Sequence, residues 1–204
     1  MDRELAYHGL DRLHEQGRRG QGVRVLIKEN PTSDHGAGVA RMCKLAAPDC
    51  VIFRANPDQR TLYDYCKQNQ IDIINVSKAT SFERPEMDAE YRRLIDEGVI
   101  VFGAAGNWTD QGPFGNVRNV GILIGAATLR ADGKAYRDHY SAIHEELDFM
   151  FVSPKHLISS GTSFTSPIAA GFAACLLNLH RFSQADIYEL MMLMSQDLAA
   201  DDVE

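Results

Sequence analysis

The sequence predicts an α/β protein of three layers, a mostly parallel central sheet with helices on both faces. Three observations carry this. Short aliphatic or β-branched runs alternate with longer amphipathic stretches along the chain, the order that builds parallel sheets through crossover helices. The run Val99–Phe102 is apolar at every position and Ile73–Val76 nearly so, which suits strands covered on both sides. Finally, 204 residues with 45% hydrophobic content suffice for one domain with a sizeable core. A single domain spanning residues 1–204 is expected, since no repeat, linker or low-complexity tract interrupts it.

The strands are predicted at Val23–Ile27, Val51–Arg54, Ile71–Val76, Val99–Gly103, Val120–Ala126 and Leu147–Val152, short segments rich in β-branched or aliphatic residues. Helical periodicity covers Gly36–Ala46, Thr61–Asn69, Pro85–Glu97, Ser163–Leu179 and Ser183–Leu193, with an N-terminal helix over Arg3–Gln16. The Gly-, Asn- and Asp-rich segment Gly106–Val117 reads as a surface loop, and the acidic tail Asp201–Glu204 as frayed. Met191, Met192 and Met194 on the last helix read as a core stripe.

A net charge of −7 argues against nucleic acid as a partner, because such proteins carry a clustered basic face. No apolar run approaches a membrane span, and the N-terminus lacks the apolar core of a signal peptide. Cys43, Cys50, Cys66 and Cys175 show no Cys-x-x-Cys spacing, so they are expected to be reduced core thiols, with no metal site and no cofactor. A cytoplasmic location is expected on the same grounds.

Four segments carry candidate chemistry. Gly161-Thr162-Ser163 opens a helix, with Pro167 four residues on. A serine there has its own N–H free and the positive end of the helix dipole behind it, as a nucleophile forming an oxyanion requires. The tripeptide equally suits an ordinary N-cap. His35 heads the next candidate, Ser33-Asp34-His35-Gly36-Ala37-Gly38-Val39-Ala40. It can be a general base or a capping histidine. In Gly103-Ala104-Ala105-Gly106-Asn107 a buried strand runs into small residues and an asparagine, a turn or a side-chain donor. Glu29 follows the first strand.

Taken together, these segments resemble the subtilisin-like serine proteases (subtilases). The similarity runs from about Tyr7 to about Leu193, with acid, histidine, asparagine and serine in that family's order. The resemblance implies a subtilisin-like fold and peptide-bond hydrolysis of a protein or peptide substrate. Ser163 is then the nucleophile, His35 the base and Asn107 the oxyanion donor. Counting along the first strand from Val23 puts Glu29 at the family's aspartate, with Asp34 as the competing acid. Asp72–Ser77 resembles the strand bordering the substrate cleft, so Ser77, Lys78, Ala79, Gly103, Ala104, Ala105, Gly106 and Trp108 are expected to line it.

The departures matter too. Only six positions separate Glu29 from His35, which removes the segment that carries a calcium loop in many relatives, so no calcium requirement is expected. Lys78-Ala79-Thr80 replaces a glycine-rich wall, and the residues ahead of Val23 read as a helix and a Gly-rich turn, so a chain that folds without a pro-domain, or a processed or truncated form, is expected. A narrowed cleft or an altered specificity pocket, and a restricted substrate range, are expected. The sequence says nothing of oligomeric state.

Overall fold

The computed structural model describes residues 3–80, 84–108, 114–115, 117–145, 147–154 and 161–198, of which 79–80 and 114–115 by backbone alone. Residues 109–113 and 116 of the predicted loop, and the tail Asp201–Glu204, lie outside the described residues.

Seven strands form the main sheet: β1 (Arg24–Lys28), β2 (Val51–Ala55), β3 (Ile73–Val76), β5 (Ile100–Ala104), β7 (Ile122–Leu129), β8 (Ala135–Arg137) and β9 (Phe149–Val152). The order is β2-β1-β3-β5-β7, and β7 then pairs with both β8 and β9. All pairings are parallel except β7 with β8. Two residues each of β4 (Ala79–Thr80) and β6 (Phe114–Gly115) pair antiparallel in a separate ribbon. The order of the strands reverses at β1, which lies between β2 and β3 and runs parallel to both. In parallel sheets, the crevice beyond the carboxyl ends at such a switch point is where ligands bind.

The strands are sandwiched as their apolar runs require. Val25, Ile27, Ile73, Ile100, Phe102, Ile122 and Ile124 face one core. It is shared with α1 (Arg3–Tyr7), α2 (Leu10–Glu15), α3 (Asp34–Ala46), α6 (Thr162–Leu176) and α7 (Gln184–Met194). Leu26, Ile74, Val101 and Leu123 face the other, against α4 (Leu62–Gln68) and α5 (Pro85–Asp96). Helix α3 buries Val39, Met42, Cys43 and Ala46, an i, i+3, i+4, i+7 stripe, and starts where the Ser33 hydroxyl accepts the Gly36 N–H at 3.0 Å. Helix α6 is buried almost all round. A side chain at Gly171 would come within 2.6 Å of the Ala46 Cβ, so its glycine sets how closely α6 and α3 approach. All four cysteines are buried and unpaired.

The structure departs from expectation at four places. The N-terminal helix is split, because Gly9 takes a left-handed φ of 74° between α1 and α2. The strand predicted to stop at Ala126 continues to Leu129 and turns back as β8, through a turn in which the Gly133 N–H reaches the Arg130 carbonyl at 3.1 Å. The β4–β6 ribbon joins segments too short to carry any pattern. On α7, Met191 is buried but Met192 and Met194 are exposed, so the methionine stripe is only partly core. Among the described residues, no helix is long and apolar enough to cross a membrane.

The break at Gly9 sets His8 beside the edge strand β9, stacked on Phe151 at 4.4 Å, where its Nε2 accepts the Val152 N–H at 3.0 Å. Burial lowers its pKa to about 4, against the opposing pull of the Val152 carbonyl. The unfolded chain binds this proton near pH 6.5, the folded chain only near 4, so stability falls as pH drops through that window. Urea unfolding should show a loss of about 1–2 kcal/mol between pH 7 and pH 5. That loss should shrink in His8→Gln; an equal loss in both proteins contradicts the assignment.

Candidate functional site

Three adjacent strands end at one place. In register, Ile27 of β1 lies beside Asn75 of β3, and Asn75 beside Phe102 of β5. The residues just past these ends, Glu29, Ser77 with Lys78, and Ala105 to Asn107, therefore share the crevice at the switch point.

Glu29 is the residue after β1, and its side chain is only 5% exposed. Its two carboxylate oxygens have separate partners. Oε1 accepts the Asn30 N–H at 2.8 Å and faces the Lys78 ammonium at 3.0 Å. Oε2 lies 3.1 Å from Nδ1 of His35. Burial pushes the Glu29 pKa up, but the Asn30 N–H, the Lys78 ammonium and His35 together outweigh it and hold the carboxyl below its usual range. As a carboxylate, Glu29 can only accept, so the His35 Nδ1 carries the proton and Nε2 is left as the ring's acceptor. His35 is the second residue of α3, 41% exposed, with its ring tilted over that of Phe164 at a centroid separation of 5.5 Å. Gly36 has a plain steric reason: a Cβ there would sit 2.8 Å from the Glu29 Cγ. Asp34 is exposed at the head of α3, and Glu29 is the acid that reaches His35.

Ser163 is the second residue of α6. Its backbone carbonyl would ordinarily accept the N–H of residue 167, but Pro167 has none. The Ser77 hydroxyl takes that carbonyl instead, at 2.9 Å, and the Ser163 hydroxyl donates back to the Ser77 carbonyl at 3.0 Å. The two serines are clasped in both directions. Behind them the buried Asn75 amide donates to the Ser77 hydroxyl at 2.8 Å and accepts from Ser166. Ser163 therefore points at the cleft wall after β3, and no hydrogen bond joins it to His35 among the described residues.

Asn107 lies at the mouth, exposed. Its Oδ1 accepts both the Thr162 N–H at 2.8 Å and the Thr162 hydroxyl at 3.0 Å. Only the carbonyl oxygen can accept from an N–H, which assigns the amide orientation and leaves Nδ2 as the donor. Thr162 in turn accepts the Gly106 N–H at 3.1 Å, tying the loop after β5 to the start of α6.

The other predicted cleft residues divide. Ser77 and Lys78 are at the site, where the Lys78 ammonium faces Glu29. Ala79 is described by its backbone, paired with Gly115. Ala104, Ala105 and Gly106 are buried, and Trp108, 51% exposed, follows Asn107 at the rim. Gly103 does not face the cleft: a Cβ there would overlap Val117, so its glycine serves the packing of the 117–121 turn on β5. Sequence reasoning missed Asn75, Thr162 and Ser166 as supporting groups. The Ser163–Pro167 spacing was the one signal that a side chain must satisfy the freed carbonyl.

Two hollows lie elsewhere. One of about 550 Å³ is lined by Arg24, Asp72 and Arg181. The other, about 600 Å³, lies against Tyr7, Phe149 and Met191.

No family model matches the chain. Weak sequence similarity links it to two curated proteases. It is 26% identical over 120 residues to a thermostable alkaline protease of Halalkalibacterium halodurans, covering 54% of this chain and 32% of that protein. It is 27% identical over 136 residues to subtilisin NAT of Bacillus subtilis subsp. natto, covering 57% and 33%. The matched stretches thus span about a third of these relatives. Among solved structures, the prenylagaramide maturation protease PagA superposes with a TM-score of 0.69 at 20% identity, over 89% of this chain and 85% of that one. The fold is subtilisin-like, and the sequence similarity is to subtilisin-type proteases.

Proposed function

We propose that this chain is a serine endopeptidase that hydrolyses peptide bonds of a restricted set of protein or peptide substrates. The observation that carries the reading is the buried Glu29 carboxylate bonded to the His35 Nδ1 at 3.1 Å, in the crevice that also holds Ser163. The similarity to subtilisin-type proteases and the shared fold support it.

In this mechanism Ser163 Oγ attacks the scissile carbonyl while His35 Nε2 takes its proton. Glu29 keeps His35 in the tautomer that can accept there and stabilises the imidazolium that forms. The developing oxyanion is held by Asn107 Nδ2 and the Ser163 backbone N–H, the latter at the positive end of α6. His35 then protonates the leaving amine, and water releases the acyl group by the reverse sequence. The Ser163 hydroxyl must turn from the Ser77 carbonyl to His35 for proton transfer. Catalytic hydrogen bonds commonly tighten only with substrate bound.

Cleavage of a peptide library, followed by mass spectrometry, tests this. Specific bonds should be cut by the wild type and left intact by Ser163→Ala. Asn107→Ala should lose about 10²–10³ in kcat, the cost measured for such a donor in a subtilisin. Cleavage that survives Ser163→Ala contradicts the reading. One observation favours a second reading, a catalytically impaired protein that binds peptides or partner proteins in the same cleft: the Ser163 hydroxyl is bonded to Ser77. Peptide retention without Ser163-dependent cleavage would select it.

A further inference from the structure

We propose that Lys78 is a positioning residue for this reaction: its ammonium pins Oε1 of Glu29 so that the glutamate presents Oε2 to His35. The proposal rests on the serine-peptidase reading above. A glutamate has one more rotatable bond than an aspartate, so its carboxylate can reach several places from the same backbone position. One backbone N–H, from Asn30 at 2.8 Å, fixes a single oxygen but leaves the carboxylate plane free to pivot. The Lys78 Nζ on that same oxygen, at 3.0 Å, closes a three-point hold with the His35 contact at 3.1 Å. Gly36 clears the space that the extra methylene occupies.

The position of Lys78 along the chain makes the hold more than a surface ion pair. It follows Ser77, whose carbonyl and hydroxyl clasp Ser163. Two consecutive residues after β3 thus grip the two ends of the acid–base–nucleophile relay. Exposed ion pairs contribute little, but the Glu29 carboxylate is buried, and removing a buried carboxylate's partner leaves its charge uncompensated. Among the described residues, the other charges around these strand ends include Lys28 at the end of β1, Arg54 on the neighbouring β2, Asp34 next to His35, Asp58, and Arg84 just ahead of α5. The Arg54 guanidinium donates to the Ser33 carbonyl at 2.8 Å. Burial first, then repulsion from Lys78 and Arg84, lowers the Lys28 pKa to about 8. Lys28 carries a hydrogen bond to Asn56 at 3.4 Å, and Lys78 is the cation paired with Glu29.

Loss of the ammonium should act on the pH profile in one direction. Without it the Glu29 carboxyl takes a proton more readily, and an imidazolium beside an uncompensated carboxylate holds its own proton to higher pH. Both effects move the acidic limb upward. The test follows the rate of covalent labelling of Ser163 by a fluorophosphonate across pH 5–9, in wild type, Lys78→Met and Lys78→Arg, with circular dichroism reporting the fold. In Lys78→Met the plateau rate should fall about 10–100-fold, and the acidic limb should move up by about half to one pH unit. Lys78→Arg, which keeps the charge, should recover most of both. Were Lys78 only part of the cleft wall, Lys78→Met would keep the wild-type limb, which overturns the proposal. If wild-type Ser163 takes no label at any pH, the peptidase reading fails and this proposal with it. A normal wild-type profile shared by Lys78→Met refutes the proposal alone.

Discussion

His35→Ala is expected to lower kcat for peptide hydrolysis by about 10⁶-fold, leaving KM little changed. A subtilisin that loses its serine or its histidine falls by a similar factor. The imidazole acts on the proton of the Ser163 hydroxyl only as the transition state forms, so its loss costs rate more than binding. Ser163→Ala should cost about as much, and the double variant no more, because base and nucleophile act as one unit. Single-turnover kinetics on a peptide found in the library screen checks this. A double variant much slower than either single one would mean that the two residues serve separate steps.

The second large effect falls on the acid. Glu29→Gln keeps the shape of the side chain but can offer an amide N–H to His35 Nδ1, favouring the tautomer that cannot take the serine proton. Asparagine for the acid of a serine protease triad costs about 10⁴ in kcat, and a comparable loss is expected here. Asp34→Ala should stay within a few-fold of wild type, since Asp34 is exposed and the carboxylate at Nδ1 belongs to Glu29. Parallel kcat measurements on the two variants separate them, and the reverse order of activities would move the acid to Asp34.

Much of this arrangement is written in local pattern. Apolar runs such as Val99–Phe102 suit strands covered on both faces, and in a parallel sheet the carboxyl ends of such strands border the crevice. Ser163 and His35 stand out because each opens a helix, where an N-terminal dipole and unsatisfied N–H groups make position meaningful. What escaped depends on distance in the chain. The turn of Lys78 toward Glu29 needs the β1–β3 register, 48 residues apart at Ile27 and Asn75. The clasp of Ser77 on Ser163 spans 86 residues. Gly103 read as a cleft residue because small residues precede Asn107, whereas its hydrogen side chain answers to Val117 on the inner face. His8 gave no signal, because only the break at Gly9 carries it to β9. Periodicity reports which face of an element is buried. Which side chains then meet is decided by sheet order.

The central claim is that Ser163 is a nucleophile activated by the His35–Glu29 pair. A fluorophosphonate probe, with the modified residue mapped by mass spectrometry, tests it most directly. The account predicts rapid labelling confined to Ser163 in the wild type, lost in His35→Ala and strongly slowed in Glu29→Gln. Labelling of Ser163 at the same rate in His35→Ala, or no labelling of the folded wild type, would contradict it.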